Sequence, residues 1–364
     1  MEPGQPPSRS TLVALLAVPE LNLRVKDVSR LPAAAAWQPN SWLSSQDDVV
    51  ELHADLVRLL RGPGGLLEQT FLYLDGQSAA DYMQLCNTSP MFVADRNRKP
   101  LEDVAARAAK LCGGLPVRVH ALGCGDATSE LRLVQALAAF LPATTVVQLY
   151  LLDISHTLLN AAHRSAEATL NPRRVTAFTL HANFHDLARL EVLHTIEDEG
   201  ARRLYTMLGA TIANLNDEVR FFEELAGFAA RDDLVVLDFQ LAAGDPADAA
   251  ELRERDPALR HGLPSTHHNW IYGPLRRHIP GVTSVSSSVR LQTVTRAPGS
   301  YELQFDVRVS CAAGEKSFMM FRSRRYAPER LQRFLLDLGW ETVVCSKYGV
   351  PQPTAAIMLL RRTA

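Results

Sequence analysis

The chain lacks any apolar run approaching the roughly 18–20 residues that a membrane-spanning helix needs. Its opening, MEPGQPPSRS, has no signal-peptide core. The expectation is therefore a cytoplasmic protein with no membrane partner. Charge of one sign is missing too, since 38 Lys and Arg stand against 40 Asp and Glu, a net −2. A nucleic-acid groove needs a concentrated basic face, so no nucleic-acid partner is expected. The arginine-rich pieces (Arg322, Arg324, Arg325 and Arg361-Arg362) are short and lie beside apolar runs, as solvated edges do. Cysteine is scarce, and Cys86, Cys112, Cys124, Cys311 and Cys345 are scattered. No Cys-x-x-Cys and no Cys/His pair has zinc spacing, so no metal is expected and reduced thiols fit best. Neither an internal repeat nor an obvious dimer helix is present, which leaves a monomer as the default.

What is present is organised around residues 117–153. Val117–Leu122 is a short apolar run of strand type. It breaks into Gly123-Cys124-Gly125, a helix-like segment follows from Thr128 to Phe140, and a second apolar run, Val146–Leu152, ends on Asp153. Strand, glycine turn, helix, strand and acid make one βαβ unit. The glycines let the backbone approach a nucleotide-like ligand, and the acid can accept hydrogen bonds from both ribose hydroxyls. A nicotinamide fingerprint needs a third glycine, but Thr128 stands there. One GxG with a ribose acid and no phosphate cradle suits S-adenosylmethionine, which carries no phosphate. The other reading is an ordinary βαβ turn with a surface Asp.

Beyond this unit, strands alternate with helices. Arg174–Leu180, Arg203–Leu208 and Leu234–Phe239 read as strands; Leu101–Leu111, Thr157–Thr169 and Asp217–Ala230 read as helices. Such alternation gives a parallel sheet covered on both faces, with its ligand beyond the strands' carboxyl ends. Helix Pro328–Leu338 and strands Trp340–Lys347 and Ala355–Arg361 close the chain, and two strands joined by a short turn must run antiparallel. Between these blocks, residues 245–265 are polar and Pro-punctuated, 266–280 read as a short helix or loop, and Val282–Thr295 with Tyr301–Phe321 alternate like antiparallel strands. The fold expected is α/β: a class I methyltransferase Rossmann-like sheet with a second, smaller α+β substrate lobe. The division is 1–115 for an N-terminal helical and aromatic segment of that lobe, 116–244 for the cofactor-binding core, 245–320 for the inserted lobe segment, and 321–364 for the helix and antiparallel strands completing the sheet.

Four blocks resemble the histidine-specific, or EgtD-like, methyltransferase family, whose fungal relatives N-methylate prenylated tryptophan. ALGCGDATSELRLVQAL (121–137) resembles its cofactor loop, LYLLDIS (149–155) its ribose-acid strand, LGATIANLN (208–216) its LGSTIGNF signature, and FRSRRYAPERLQRFLLDLGWE (321–341) its ExSxKY ending. FLYLDGQSAADYMQL (71–85) is a fainter echo of an N-terminal aromatic block. The resemblance implies an S-adenosylmethionine-dependent enzyme yielding S-adenosylhomocysteine. It places Gly123, Cys124, Gly125, Asp153, Ile154, Asn183, Phe184 and Gly209 on the cofactor. Asn183 stands where the family has an acid facing the adenine amine; its amide oxygen accepts the same bond, or else it caps a turn. Asn214 falls on the family's contact to the substrate's amino and carboxylate groups, or else caps the helix before Asp217. The family's acid at the imidazole corresponds to Phe321, while Ser323 and Tyr326 are kept. A site that loses such a carboxylate rejects its old ligand, so histidine is not the expected substrate. Met91-Phe92 is the nearest match to the family's paired tyrosines.

Methyl transfer from a sulfonium is an in-line displacement that needs positioning and a neutral nucleophile. No Ser-His-Asp or metal centre is required, and His267-His268 has no acid at ligand spacing. The residues expected to act on the substrate are Asn214 and Tyr73, with Phe92, Tyr272, Phe321 and Ser323 lining its pocket. The substrate expected is a small-molecule amine or amino-acid derivative. Competing readings are an O- or C-methyltransferase of specialised metabolism, or a binding protein without catalysis. The intact Gly123, Gly125 and Asp153 speak against the last.

Overall fold

The computed structural model describes residues 24–25, 43–44, 54, 56–62, 64–67, 69–74, 76–88, 97–185, 187, 200–215, 217–293, 295, 297–349 and 351–363. Phe92, expected at the substrate, lies outside the described residues, as do residues 1–10. After a two-stranded antiparallel pair, Arg24–Val25 with Leu43–Ser44, the elements in chain order are β1 (Gly64–Leu66), α1 (Phe71–Leu74), α2 (Gly76–Thr88), α3 (Arg98–Cys112), β2 (Val117–Leu122), α4 (Thr128–Phe140), β3 (Val147–Asp153) and α5 (His156–Thr169). There follow β4 (Val175–His181), β5 (Arg202–Met207), a 3-10 helix (Thr211–Asn214), α6 (Glu218–Phe228), β6 (Leu234–Gln240), α7 (Ala249–Arg255), α8 (Pro257–His261) and α9 (His268–His278). The chain ends with β7 (Ser284–Gln292), β8 (Ser300–Cys311), β9 (Gly314–Tyr326), α10 (Pro328–Asp337), β10 (Trp340–Tyr348) and β11 (Ala355–Arg362).

The main sheet has the order β10-β11-β6-β5-β2-β3-β4. Its strands β2 to β6 pair in parallel, whereas β11 enters antiparallel between β6 and β10. All six residues of β2 are buried, as in a strand covered on both faces. One face packs Val119, Leu149 and Val236 against Val104, Val134 and Leu159 of α3, α4 and α5. The other packs Tyr205, Leu237 and Met358 against Phe222 of α6 and Leu335 of α10. Chain order reverses at β2, whose neighbours β3 and β5 lead away in opposite directions. In a sheet of this order the ligand crevice lies at that switch point, beyond the carboxyl ends.

A second sheet, β1-β9-β8-β7, forms the smaller lobe. Its apolar side closes over Leu72 and Leu85 of α1–α2 and over Trp270 and Leu275 of α9. The stretch expected as helix or loop is thus a helix, with Pro274 inside it. Two consecutive glycines, Gly64 and Gly65, open β1. Gly64 lies opposite Ser317, and a Cβ on it would sit 2.2 Å from the Ser317 carbonyl oxygen, so only glycine lets the two backbones close.

The boundary expected between 320 and 321 falls inside β9. Phe321 and Ser323 therefore belong to the lobe sheet rather than to the segment completing the main sheet. The β8–β9 register skips Met320, passing from Asp306↔Met319 to Phe305↔Phe321. After that bulge Phe321 packs on Trp270 and Phe305 of the lobe, while Arg324 and Tyr326 reach Glu218 of the main domain. One strand serves both bodies.

Candidate active site

The crevice is built first from the turn after β2. Asp153 ends β3, buried to 6% exposure. Its Oδ2 accepts the Gly125 N–H and its Oδ1 the Ser155 N–H, each at 2.8 Å. Each oxygen keeps a second lone pair that a diol can use. Burial raises this carboxyl to about 6, with the N–H groups of Ser155, Gly125 and Ile154 pulling it back. Gly123 has φ 65°, and a Cβ there would lie 2.8 Å from Phe184 Cε1 and 3.0 Å from Thr211 Cγ2. Cys124 is buried, its N–H donates to Leu152 O at 2.9 Å, and burial pushes its thiol well up, so it packs rather than reacts.

On the far side of the crevice Ile154 is buried, and its carbonyl lies 2.7 Å from His181 Nε2. Asn183 Oδ1 accepts the His185 N–H at 3.1 Å, so this residue does cap a turn, with one lone pair left on the oxygen. Phe184 is buried and stacks on His185 at 4.4 Å. The Gly209 N–H, at the exit of β5, is held by Asp238 Oδ2 at 3.2 Å, and Tyr348 donates to the other oxygen at 2.7 Å. A buried acid with free lone pairs, a turn too close for a side chain, and the apolar side chains of Ile154 and Phe184 fit the adenosine part of S-adenosylmethionine.

The lobe supplies the facing wall. Tyr73, Tyr82 and Trp270 pack together with ring centroids 5.1 to 5.6 Å apart, and Phe321 stands edge-on to Trp270 at 5.4 Å. A Cβ on Gly125 would be 3.9 Å from Tyr82, so this aromatic wall abuts the glycine turn. Burial pushes the Tyr73 hydroxyl well above its ordinary range, while the Gln69 amide hydrogen-bonds it and pulls the other way. Gln69 Nε2 also donates to Asn214 Oδ1 at 2.8 Å. The helix that follows is capped by Asp217, whose Oδ1 accepts the Arg220 N–H, so Asn214 is not the cap. Ser323 is buried, with its Oγ accepting from Arg325 at 2.5 Å.

The structure places Tyr272 on the β7 side of α9. Its hydroxyl donates to Ser287 Oγ at 2.7 Å, and its ring stacks on His268 at 4.7 Å. It lies about 200° around α9 from Trp270 and packs against β7 instead of the tyrosines. His267 and His268 accordingly face different ways, the first toward Trp270. The residues missed from sequence were Gln69, Tyr82, Trp270 and Glu130. Tyr82 lies in the aromatic block 71–85 and Trp270 in the stretch 266–280 read as a short helix or loop, whereas Gln69 had no local signal.

Glu130 sits in the first turn of α4 and is almost fully buried. Burial lifts its carboxyl to about 8, and Asp126, Asp238 and Asp153 add to the rise. The folded state therefore holds a proton that the unfolded chain releases near 4.5. That contribution is complete below the unfolded value and is lost as pH rises through about 8. The melting temperature of the cofactor-free protein is expected to fall as pH rises from about 4.5 to about 8. Glu130→Gln should flatten that fall, and equal slopes for the two proteins would contradict it.

A parallel sheet with an antiparallel strand inserted beside its edge, a glycine turn after β2 and a buried acid ending β3 define a class I S-adenosylmethionine-dependent methyltransferase. The chain belongs to the family of histidine-specific, S-adenosylmethionine-dependent methyltransferases, whose family model matches residues 52–244. No curated protein matches. Among solved structures, the chain is similar to an S-adenosylmethionine-dependent methyltransferase from Clostridium acetobutylicum (10% identity, 78% of this chain and 99% of that one, TM-score 0.41). It is similar also to magnesium protoporphyrin IX methyltransferase from Synechocystis with bound S-adenosylmethionine (12%, 82% and 98%, TM-score 0.42). A third is 1,6-didemethyltoxoflavin-N1-methyltransferase from Burkholderia thailandensis (11%, 92% and 98%, TM-score 0.40). Likeness at that level carries no weight for the substrate. Among the described residues no helix is long and apolar enough to cross a membrane, and no cluster of His, Cys, Asp or Glu could hold a metal.

Proposed function

We propose that the protein methylates the amine of an amino acid, or of a small molecule derived from one, and that histidine is not its substrate. The observation that carries this reading is Phe321. Where the family's ending has an acid for the imidazole, this ring packs edge-on against Trp270 and tilted against Phe305. An imidazole N–H placed there would lose its partner, a cost of about 1–3 kcal/mol for a buried donor. An apolar or aromatic body loses nothing.

S-adenosylmethionine, held by Asp153, Gly123, Gly125, Ile154, Asn183, Phe184 and Gly209, supplies an electrophilic methyl group when bound. The chain's own part is placement. Asn214 holds a polar end of the substrate, and the aromatic wall excludes water. Desolvation favours the neutral amine, whose lone pair is the nucleophile. Tyr73, kept protonated by burial, orients through its hydroxyl and does not act as a base.

The test is calorimetric titration with S-adenosylhomocysteine, followed by histidine and tryptophan added to the complex. Histidine is expected not to bind, and tight histidine binding would sink the assignment of Phe321. Once a substrate is in hand, Asn214→Ala should cut turnover about 10- to 100-fold while S-adenosylhomocysteine still binds. Unchanged turnover would remove Asn214 from the site.

A further inference from the structure

Gln69 is 6% exposed, and one end of its side chain is accounted for: Nε2 donates to Asn214 Oδ1. The other end is not. Gln69 Oε1 is buried and accepts from nothing among the described residues. A buried acceptor without a partner is uncommon and costs about 1–3 kcal/mol, so it calls for a ligand. The bond between the two amides also fixes which way Asn214 points. With Oδ1 taken by Gln69, its Nδ2 is the group turned away from the pair. Joined in this way, the amides present a carbonyl at one end and an NH2 at the other. Tyr73, hydrogen-bonded to Gln69 and 5.6 Å from the Trp270 ring, ties this pair to the aromatic wall.

We infer that Gln69 is a substrate-positioning residue that divides the recognition of an amino acid with Asn214. Gln69 Oε1 accepts an N–H of the substrate's amino group, and Asn214 Nδ2 donates to its carboxylate. The aromatic wall takes a flat, apolar side chain. This rests on the amine-methyltransferase reading above and extends it to an aromatic α-amino acid with both its amino and its carboxylate group free. Two amides suit the task because each supplies only the polarity its end requires. A single unpaired amide can rotate and offer either atom.

The experiment uses the full-length protein saturated with S-adenosylhomocysteine and three probes measured by calorimetry: L-tryptophan, tryptamine, which lacks the carboxylate, and indole-3-propionate, which lacks the amine. L-tryptophan should bind most tightly. Gln69→Leu should weaken tryptamine about 10- to 100-fold, the usual loss for a hydrogen bond to a charged group. Gln69→Glu carries the sharper signature. A carboxylate at 69 makes Asn214 turn and donate its Nδ2 inward, so the pair presents acceptors at both ends. Tryptamine should then bind at least as well as to the native protein, and indole-3-propionate should bind at least tenfold more weakly.

A merely structural Gln69 would shift all three probes in parallel in both variants, and that result overturns the proposal. Failure of all three probes to bind the native complex, with methyl transfer to some other amine retained, also overturns it and leaves the amine-methyltransferase reading standing. Methyl transfer only to oxygen or carbon acceptors would overturn both.

Discussion

Asp153→Ala is expected to weaken S-adenosylhomocysteine by about 100-fold or more, measured by calorimetry near neutral pH. Two ribose hydroxyls would lose a charged acceptor, each such bond contributing on the order of 1.5–3 kcal/mol. The glycine turn would lose its anchor as well, because the carboxylate that serves the diol also holds the Gly125 and Ser155 N–H groups. Asp153→Asn should fall between the two proteins, since an amide retains one acceptor oxygen and turns an NH2 toward one of those donors. The carboxyl lies at about 6 without ligand. Only its ionised form accepts from both the backbone and a diol, so affinity should fall as pH is lowered through about 6. That dependence should vanish in Asp153→Asn. An alanine variant that bound S-adenosylhomocysteine as the native protein does would remove Asp153 from the cofactor site.

Much of the main sheet was legible because its information is local. Apolar runs such as Val117–Leu122 and Leu234–Phe239 are strands wherever they are placed, and the structure moves their ends by no more than one residue. Asp153 was legible for the same reason: it follows such a run and pairs with a glycine turn nearby in sequence. The lobe was harder. Phe321–Tyr326 continues β9 although Arg322, Ser323, Arg324 and Arg325 break the apolar alternation, because the partners that bury Arg324 lie on α6 and β8. Gly64-Gly65 reads as a breaker, yet it is a strand whose reason is the backbone of Ser317, more than two hundred residues away. Tyr272 and Trp270 could not be separated, since residues 270–275 are buried all round α9 and the phase of the helix leaves no mark in the pattern. Gln69 was invisible because its function lies in one bond to a residue 145 positions along the chain.

Glu218→Ala is expected to destabilise the protein by about 3–5 kcal/mol, the usual cost of removing one partner from a buried ion pair. Arg324 donates from Nη1 to Glu218 Oε1 at 2.6 Å and to the Leu215 carbonyl at 2.7 Å, and from Nε to Glu302 Oε2 at 2.8 Å. Tyr326 adds a hydroxyl to Glu218 at 2.9 Å. Glu218 is 1% exposed, so its loss leaves a guanidinium in a dry site with half its compensation gone. Denaturant unfolding would report the loss, and a change below 1 kcal/mol would refute it. The double variant Glu218→Leu/Arg324→Met should lose less than the two single changes together, because no unpaired charge remains to be desolvated. The network also has a place in function. Glu218 begins the helix that follows Asn214, and Arg324 lies three residues beyond Phe321 on the same strand. The buried pair therefore clamps the amide wall of the pocket to its aromatic wall, while Asp153 and the glycine turn are held by separate contacts. Weakening the clamp should raise the substrate's KM before it changes the affinity for S-adenosylhomocysteine.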